Sequence, residues 1–369
     1  MAARFAFQTV PERIFRQLVR RSTSGLEVLG RSQYVNSVST EHSRKYRAVV
    51  CTELKKPLEV QTLSRPELKP EEVRVSIHCC GVNFADILAC QGLYQEQLSL
   101  PFTPGMEFSG SVIETGSSVT NFQKGDRVIA VTEGKGMAEE CIINQKLLWK
   151  VPKEVSYEEA AALPVSYGTG LLALQHRAAT QPGEVVLVTA AAGGAGLAAV
   201  DIAANVLQAK VIAAAGSDEK CKIAVQKGAS SSINYSSSNL KEELKKLTNS
   251  QGVDVVFDAV GGEIFKDSLS SLSWEGRIVV VGFAGGAIPS IPANLLLLKN
   301  ISAMGVYWGR YRNEDFGLFS KSIFTAIQLC KEGKIRPHIG AVYKLHQVNE
   351  AFLHVAQRKS IGKVIVSMR

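Results

Sequence analysis

Three small residues at equal spacing, Ala190, Gly193 and Gly196, carry the strongest chemical signal in the sequence. They lie in the run from Val185 to Leu197, which begins as an apolar strand and ends as the start of an amphipathic helix. Gly194 and Ala195 fill the turn between them, so no bulky side chain interrupts it. A turn of this kind lets the backbone approach a pyrophosphate, and the helix N-terminus beyond it offers free N–H groups and a positive dipole end. The pattern points to a dinucleotide. Nineteen residues past Gly196, the next strand-like run, from Lys210, ends in Ala215 and Gly216. A site for NAD usually carries an acid there to hold the ribose hydroxyls. Without that acid a 2′-phosphate is not repelled, and Lys220 and Tyr235 are within reach of one. The expected cofactor is therefore NADPH. Asp218, a displaced acid that could hold the ribose, keeps the alternative open.

These residues need a scaffold, and the chain supplies one. Strand-like runs at 185–189, 210–215, 232–234, 253–258 and 277–281 alternate with helical stretches at 197–208, 218–227 and 240–248. Such alternation predicts an α/β fold with a doubly wound parallel sheet covered on both faces. Residues 46–165 read differently. Strands at 48–52, 73–79 and 127–131 are punctuated by Pro57, Pro70, Gly81, Pro104 and Gly125, as in a mostly β domain with irregular loops. After about Val306 the alternation stops; a helix is expected over 319–332 and a last strand over 363–367.

Bulk properties exclude several function classes. Of the net charge of +8, residues 1–45 hold +5, from eight basic and three acidic residues, so the body is nearly neutral and lacks a phosphate-tracking face for nucleic acid. That first segment is rich in Arg and Ser, and Val10, Ile14 and Leu18 would share one helical face, the pattern of a mitochondrial transit peptide, with a disordered basic tail on a cytoplasmic protein as the alternative. No stretch of 18 apolar residues is present, so no membrane insertion is expected. The seven cysteines show no zinc spacing and the six histidines are scattered, so the sequence offers no metal site. Hydrolase motifs built on Gly-x-Ser-x-Gly or His-Glu-x-x-His are absent.

Several ordered motifs add a resemblance. Gly81 to Asp86, Gly92-Leu93-Tyr94, Leu100 to Gly110, Lys124 to Val128, Pro164 to Thr169 and the turn from Ala190 to Gly196 resemble the medium-chain dehydrogenase/reductase superfamily, and within it the quinone oxidoreductase branch. The likeness covers about residues 46–369. It implies a GroES-like catalytic domain, 46–165 and 305–369, interrupted by a Rossmann cofactor domain, 166–304. It further implies that Thr169 and Gly282–Phe283 border the nicotinamide, that Val306, Tyr307 and Trp308 close the cleft, and that Asn83 and Tyr94 line the substrate space. Zinc-dependent relatives carry metal ligands where this chain has Asn83 and Met106. The implied reaction is zinc-independent hydride transfer to a quinone, with Asn83 donating to the substrate oxygen and Tyr94 either packing or donating a proton. Reduction of an enone double bond is the alternative. An NADPH-binding structural or regulatory role, as in crystallin relatives of the branch, is the alternative of another class. The apolar run from Ile301 to Val306 predicts a sheet edge closed by pairing into a homodimer.

Overall fold

A computed structural model of the protein describes residues 44–369. The predicted transit peptide lies outside the described residues, apart from its last two positions. Lys45 already belongs to a strand, Lys45–Val50, which pairs antiparallel with Glu59–Ser64.

A six-stranded sheet carries the second half of the chain. Its spatial order is Ser231–Asn234, Lys210–Ala215, Val185–Val188, Val253–Asp258, Leu272–Val280, Ser302–Gly305, and every pair is parallel. Numbered along the chain this is 3-2-1-4-5-6, the doubly wound Rossmann order. The strands read as unbroken apolar runs because helices bury both faces: Val186, Leu187, Val188, Val211 and Ala213 are fully or almost fully covered. The Leu272 strand begins five residues before the run legible in the sequence, passing through Glu275 at φ 59°. The helix after the small-residue turn starts at Gly194, earlier than the apolar pattern suggests, because Gly193 caps it.

A seven-stranded sheet forms the other layer, ordered Ile339–Lys344, Lys363–Ser367, Glu72–Val82, Glu107–Thr115, Arg127–Val131 and Leu148–Lys150, with Glu140–Asn144 also on Glu72–Val82. Its spine, Glu72–Val82, pairs antiparallel with Glu107–Thr115 and with the C-terminal strand. The fold is therefore a GroES-like part plus a Rossmann part. Tyr167, Leu197, Trp308, Phe319 and Ile323 belong to the apolar core between them.

Candidate active site

The small-residue turn has the conformation its composition suggests. Ala190 leaves the Val185–Val188 strand at φ 47°, and its carbonyl accepts Gly193 N at 2.9 Å. A Cβ on Gly196 would lie 2.1 Å from that same carbonyl, so the third small residue is fixed by packing between turn and helix. A Cβ on Gly193 would meet only Ala190 O, at 3.4 Å, and one on Gly194 would make ordinary contacts from 3.4 Å. These two residues are free of steric demand from the protein itself. They leave a shallow cradle at a helix N-terminus, which fits a pyrophosphate. The C-terminal segment props the turn, with Gly362 N donating to Ala192 O at 2.8 Å.

At the end of the second Rossmann strand, Tyr235 N donates to Ala215 O at 3.1 Å and Ser236 Oγ to Gly216 O at 3.0 Å. A Cβ on Gly216 would sit 3.7 Å from the Tyr235 hydroxyl. Lys220 Nζ reaches Arg358 O at 2.6 Å, and burial lowers its pKa, with Arg358 adding to the decrease. Arg358 also lies close enough to Tyr235 to oppose the upward shift that burial gives its phenol. Gly216, Lys220, Tyr235 and Arg358 thus make a basic cup, of which the sequence reading missed Arg358. Asp218 takes no part; its carboxylate accepts Asn234 Nδ2 at 2.8 Å.

Beyond the strand ends, Thr189 Oγ1 donates to the buried Asp258 at 2.8 Å, and Asp258 accepts Gly261 N at 3.0 Å. This pair pins the loop after Val253–Asp258, which in turn holds Ala284 N through Ala259 O at 2.9 Å. Gly282 and Phe283 are so placed at the rim, with Phe283 half exposed. Thr169 is half-buried on the helix Pro164–Leu171. Val306 is buried, and Tyr307 faces the rim. Trp308 does not close the cleft: it is buried, its indole N–H donates to Ser322 Oγ at 3.0 Å, and it packs on Phe319 and against Gly168. The chain turns inward after Tyr307, and an indole buries more favourably than it lines water.

The GroES-like side of the candidate site is built by three strand ends. Val364 pairs with Val82 and Phe108 with Cys80, so Asn83, Glu107 and Lys363 converge just past the last paired residues. Asn83 Nδ2 donates to Glu107 Oε1 at 2.9 Å, and Lys363 Nζ donates to Asn83 Oδ1 at 2.7 Å. Lys363 also pairs with Glu107 Oε1 at 2.5 Å, with the two side chains 5% and 0% exposed. Glu107 Oε2 accepts Val165 N at 2.8 Å, which fixes the helix bearing Thr169. Gly81 leaves the room required: a Cβ there would stand 2.7 Å from Glu107 Oε1 and 2.8 Å from Lys363 Cε. Asp86 is buried below, accepting Asn83 N at 2.8 Å and Gly105 N at 3.0 Å. Burial pushes its carboxyl up to about 7 against those two hydrogen bonds. In the sequence Glu107 and Asp86 stand out only as parts of motifs, and Lys363 not at all. The available signal for Lys363 is a lysine between Gly362 and a fully apolar strand. Among the described residues, no group of three His, Cys, Asp or Glu side chains is arranged to hold a metal.

Tyr94 is half-buried and its hydroxyl interacts with that of Tyr307; burial raises the pKa of both phenols. Tyr307 donates to Glu96 at 2.9 Å, and Arg312 pairs with Glu133 at 2.5 Å. Two polar ties therefore join the segment after Ser302–Gly305 to Glu96 and Glu133 of the GroES-like part.

With that geometry defined, the comparisons are decisive. The family described as "Alcohol dehydrogenase GroES-like domain" matches residues 69–169, and "Zinc-binding dehydrogenase" matches 194–325. Quinone oxidoreductase-like protein 2 of Bos taurus is 64% identical over 326 residues, covering 88% of this chain and 93% of that protein. The chain belongs to the medium-chain dehydrogenase/reductase superfamily, close to the quinone oxidoreductase-like proteins 2. A homolog of those proteins from Nematostella vectensis is 48% identical over 99% of both chains. Among solved structures, the quinone oxidoreductase of Thermus thermophilus, whose complex with NADPH is also known, matches at TM-score 0.76 and 33% identity, covering 87% of this chain and all of that one. The superfamily is broad: a NAD-dependent alcohol dehydrogenase matches at TM-score 0.79 and 28% identity over 88% of this chain and 100% of that one. Superfamily and fold are thus as the motifs implied.

Proposed function

We propose that the protein is a zinc-independent NADPH-dependent oxidoreductase that reduces quinones. The carrying observation is the corner where zinc-dependent relatives would hold their metal. Here it is filled by a carboxamide already bound to a carboxylate and an ammonium, at 2.9 and 2.7 Å. That donor set does not suit a dication, which a lysine ammonium would repel. A saturated carbonyl needs strong polarisation to accept a hydride. A quinone needs little, because the charge it gains spreads over its ring. The basic cup of Lys220, Arg358, Tyr235 and Gly216 supports NADPH over NADH, and the Thermus relative's NADPH complex agrees.

A reduced nicotinamide, when bound, would supply the hydride. The turn at Gly193–Gly194 would hold its pyrophosphate, Thr169, Gly282 and Phe283 would border its ring, and Asn83 has one amide hydrogen left for the acceptor oxygen. Tyr94, the titratable side chain of the Gly92–Tyr94 motif, either packs on a flat acceptor or supplies the proton an enone needs at carbon. The exposed apolar residues Leu297 and Leu298, 81% and 68% accessible, lie on the helix leading into the edge strand Ser302–Gly305. They support a homodimer closed through that edge.

The test is stopped-flow and steady-state oxidation of NADPH with phenanthrenequinone and a panel of enones. Quinone-dependent consumption is expected, unaltered in Tyr94→Phe. NADPH uptake without consumption across the panel would replace the enzyme by a binding protein. Chelator-sensitive turnover of saturated primary alcohols would overturn zinc independence.

A further inference from the structure

Lys363 is an odd residue to find where it is. Its side chain is 5% exposed, and a buried ammonium is costly unless fully paired. Its partners account for the charge: Glu107 Oε1 at 2.5 Å and Asn83 Oδ1 at 2.7 Å. Only the second bond leads anywhere chemically, because Asn83 is the most accessible of the three, at 9% against 5% for Lys363 and 0% for Glu107.

An amide whose oxygen accepts from a cation shifts electron density from nitrogen to oxygen, and its N–H groups become stronger donors. Glu107 pulls the other way through the amide hydrogen it accepts. Its Oε1, however, is already met by the ammonium, and its Oε2 by Val165 N at 2.8 Å. The remaining carboxyl, Asp86, bonds only backbone N–H groups and is held up near neutrality by burial. At the carboxamide oxygen itself, therefore, the partner is the cation.

From these contacts we propose that Lys363 is a positioning residue for the reduction. It locks the Asn83 carboxamide between two fixed partners and polarises it, so that the free Asn83 N–H meets the acceptor oxygen as a charge-backed donor. The inference rests on the reductase reading and assigns to the ammonium, acting through an amide, the polarising role that a metal has in other members of the superfamily.

The experiment uses the whole protein and four variants: Lys363→Met, Asn83→Ala, the double Asn83→Ala/Lys363→Met, and the double Lys363→Met/Glu107→Gln. Lys363→Met alone strands a buried carboxylate and is expected to unfold at lower temperature. Lys363→Met/Glu107→Gln removes both charges and is expected to regain thermal stability. Its kcat with phenanthrenequinone at saturating NADPH is nevertheless expected to stay down by roughly tenfold or more, on the scale of weakening one oxyanion donor. Asn83→Ala/Lys363→Met, assayed at a temperature where its melting curve shows it fully folded, is expected to be no slower than Asn83→Ala, since the lysine acts through the amide. Selective ¹⁵N labelling of asparagine gives a readout free of turnover. The Asn83 side-chain amide, identified by its loss in Asn83→Ala, is expected to move upfield in Lys363→Met, recorded well below that variant's melting temperature, where the cation alone is lost. A stable Lys363→Met/Glu107→Gln enzyme with wild-type kcat, an unmoved amide resonance, or multiplicative losses in Asn83→Ala/Lys363→Met would each overturn the proposal. If the wild type binds NADPH yet reduces no quinone, the reductase reading fails, and the amide resonance alone decides the polarisation.

Discussion

Replacing Gly196 and Gly193 by alanine, one at a time, separates the scaffold of the turn from its use. A Cβ at Gly196 would stand 2.1 Å from Ala190 O, where real contacts are essentially never under 3.0 Å. The carbonyl must therefore retreat by about 1 Å, far enough to lose the hydrogen bond it accepts from Gly193 N, now 2.9 Å long. Over-packing of this kind costs about 1–3 kcal/mol and the lost bond about 1 more, so Gly196→Ala should be destabilised by about 2–4 kcal/mol. In a chain of this size that lowers Tm by roughly 5 °C. Gly193 is different: its φ is −74°, open to any residue, and one contact at 3.4 Å is all an added methyl meets. Gly193→Ala should keep the wild-type Tm within about 1 °C and yet lose NADPH affinity by at least about tenfold, because the methyl occupies the approach of the pyrophosphate. Differential scanning fluorimetry reads the first quantity and quenching of protein fluorescence by NADPH the second. Wild-type NADPH affinity in Gly193→Ala would refute the turn as the cofactor seat. An unchanged Tm in Gly196→Ala would refute the steric argument.

Four further outcomes are expected. Lys220→Ala should weaken NADPH much more than NADH, since only the phosphate ester loses a charge partner; equal losses in paired titrations would contradict the basic cup. Light scattering at micromolar concentration should give the dimer mass, and Leu297→Glu/Leu298→Glu the monomer; a wild-type monomer would dismiss the edge pairing. N-terminal sequencing of protein from its native cell should begin roughly 30–45 residues in, from a mitochondrial fraction; an intact start on a cytosolic pool would reject the transit peptide. Burial lowers the His78 pKa from 6.5 to about 4, with Arg369 and Arg127 adding to the shift. The unfolded chain therefore takes up this proton first, and stability should fall as pH drops from 6.5 to about 4. A His78→Gln variant should lack that part of the slope in urea titrations, and an identical slope would discount His78.

Periodicity and small-residue spacing are enough to read the Rossmann half. Unbroken apolar strands alternating with amphipathic helices admit few alternatives, and the turn at Ala190–Gly196 announces itself by what it lacks. The strand Lys363–Ser367 is legible to its ends, since Gly362 and the apolar run after it are local signals. Local pattern fails where burial is partial. Ile339–Lys344 alternates between half-buried and exposed positions, and Ala293–Lys299 is a helix without a buried face, so neither carries the contrast that marks an element. It fails again for Trp308, whose direction is set by the cavity over Gly168 and by Ser322, fourteen residues on. The charged corner is the clearest case. Asn83 and Glu107 are 24 positions apart, and Lys363 lies 280 from Asn83. No spacing rule connects them, because antiparallel register brings them together: Val364 opposite Val82, and Phe108 opposite Cys80. The sequence determined which residue types were present and which backbone each would adopt, since those are short-range matters of sterics and burial. Only the tertiary structure decided that a lysine from the last strand would neutralise a glutamate and hold an asparagine, because a buried charge takes its meaning from whichever partner the fold brings within hydrogen-bond reach.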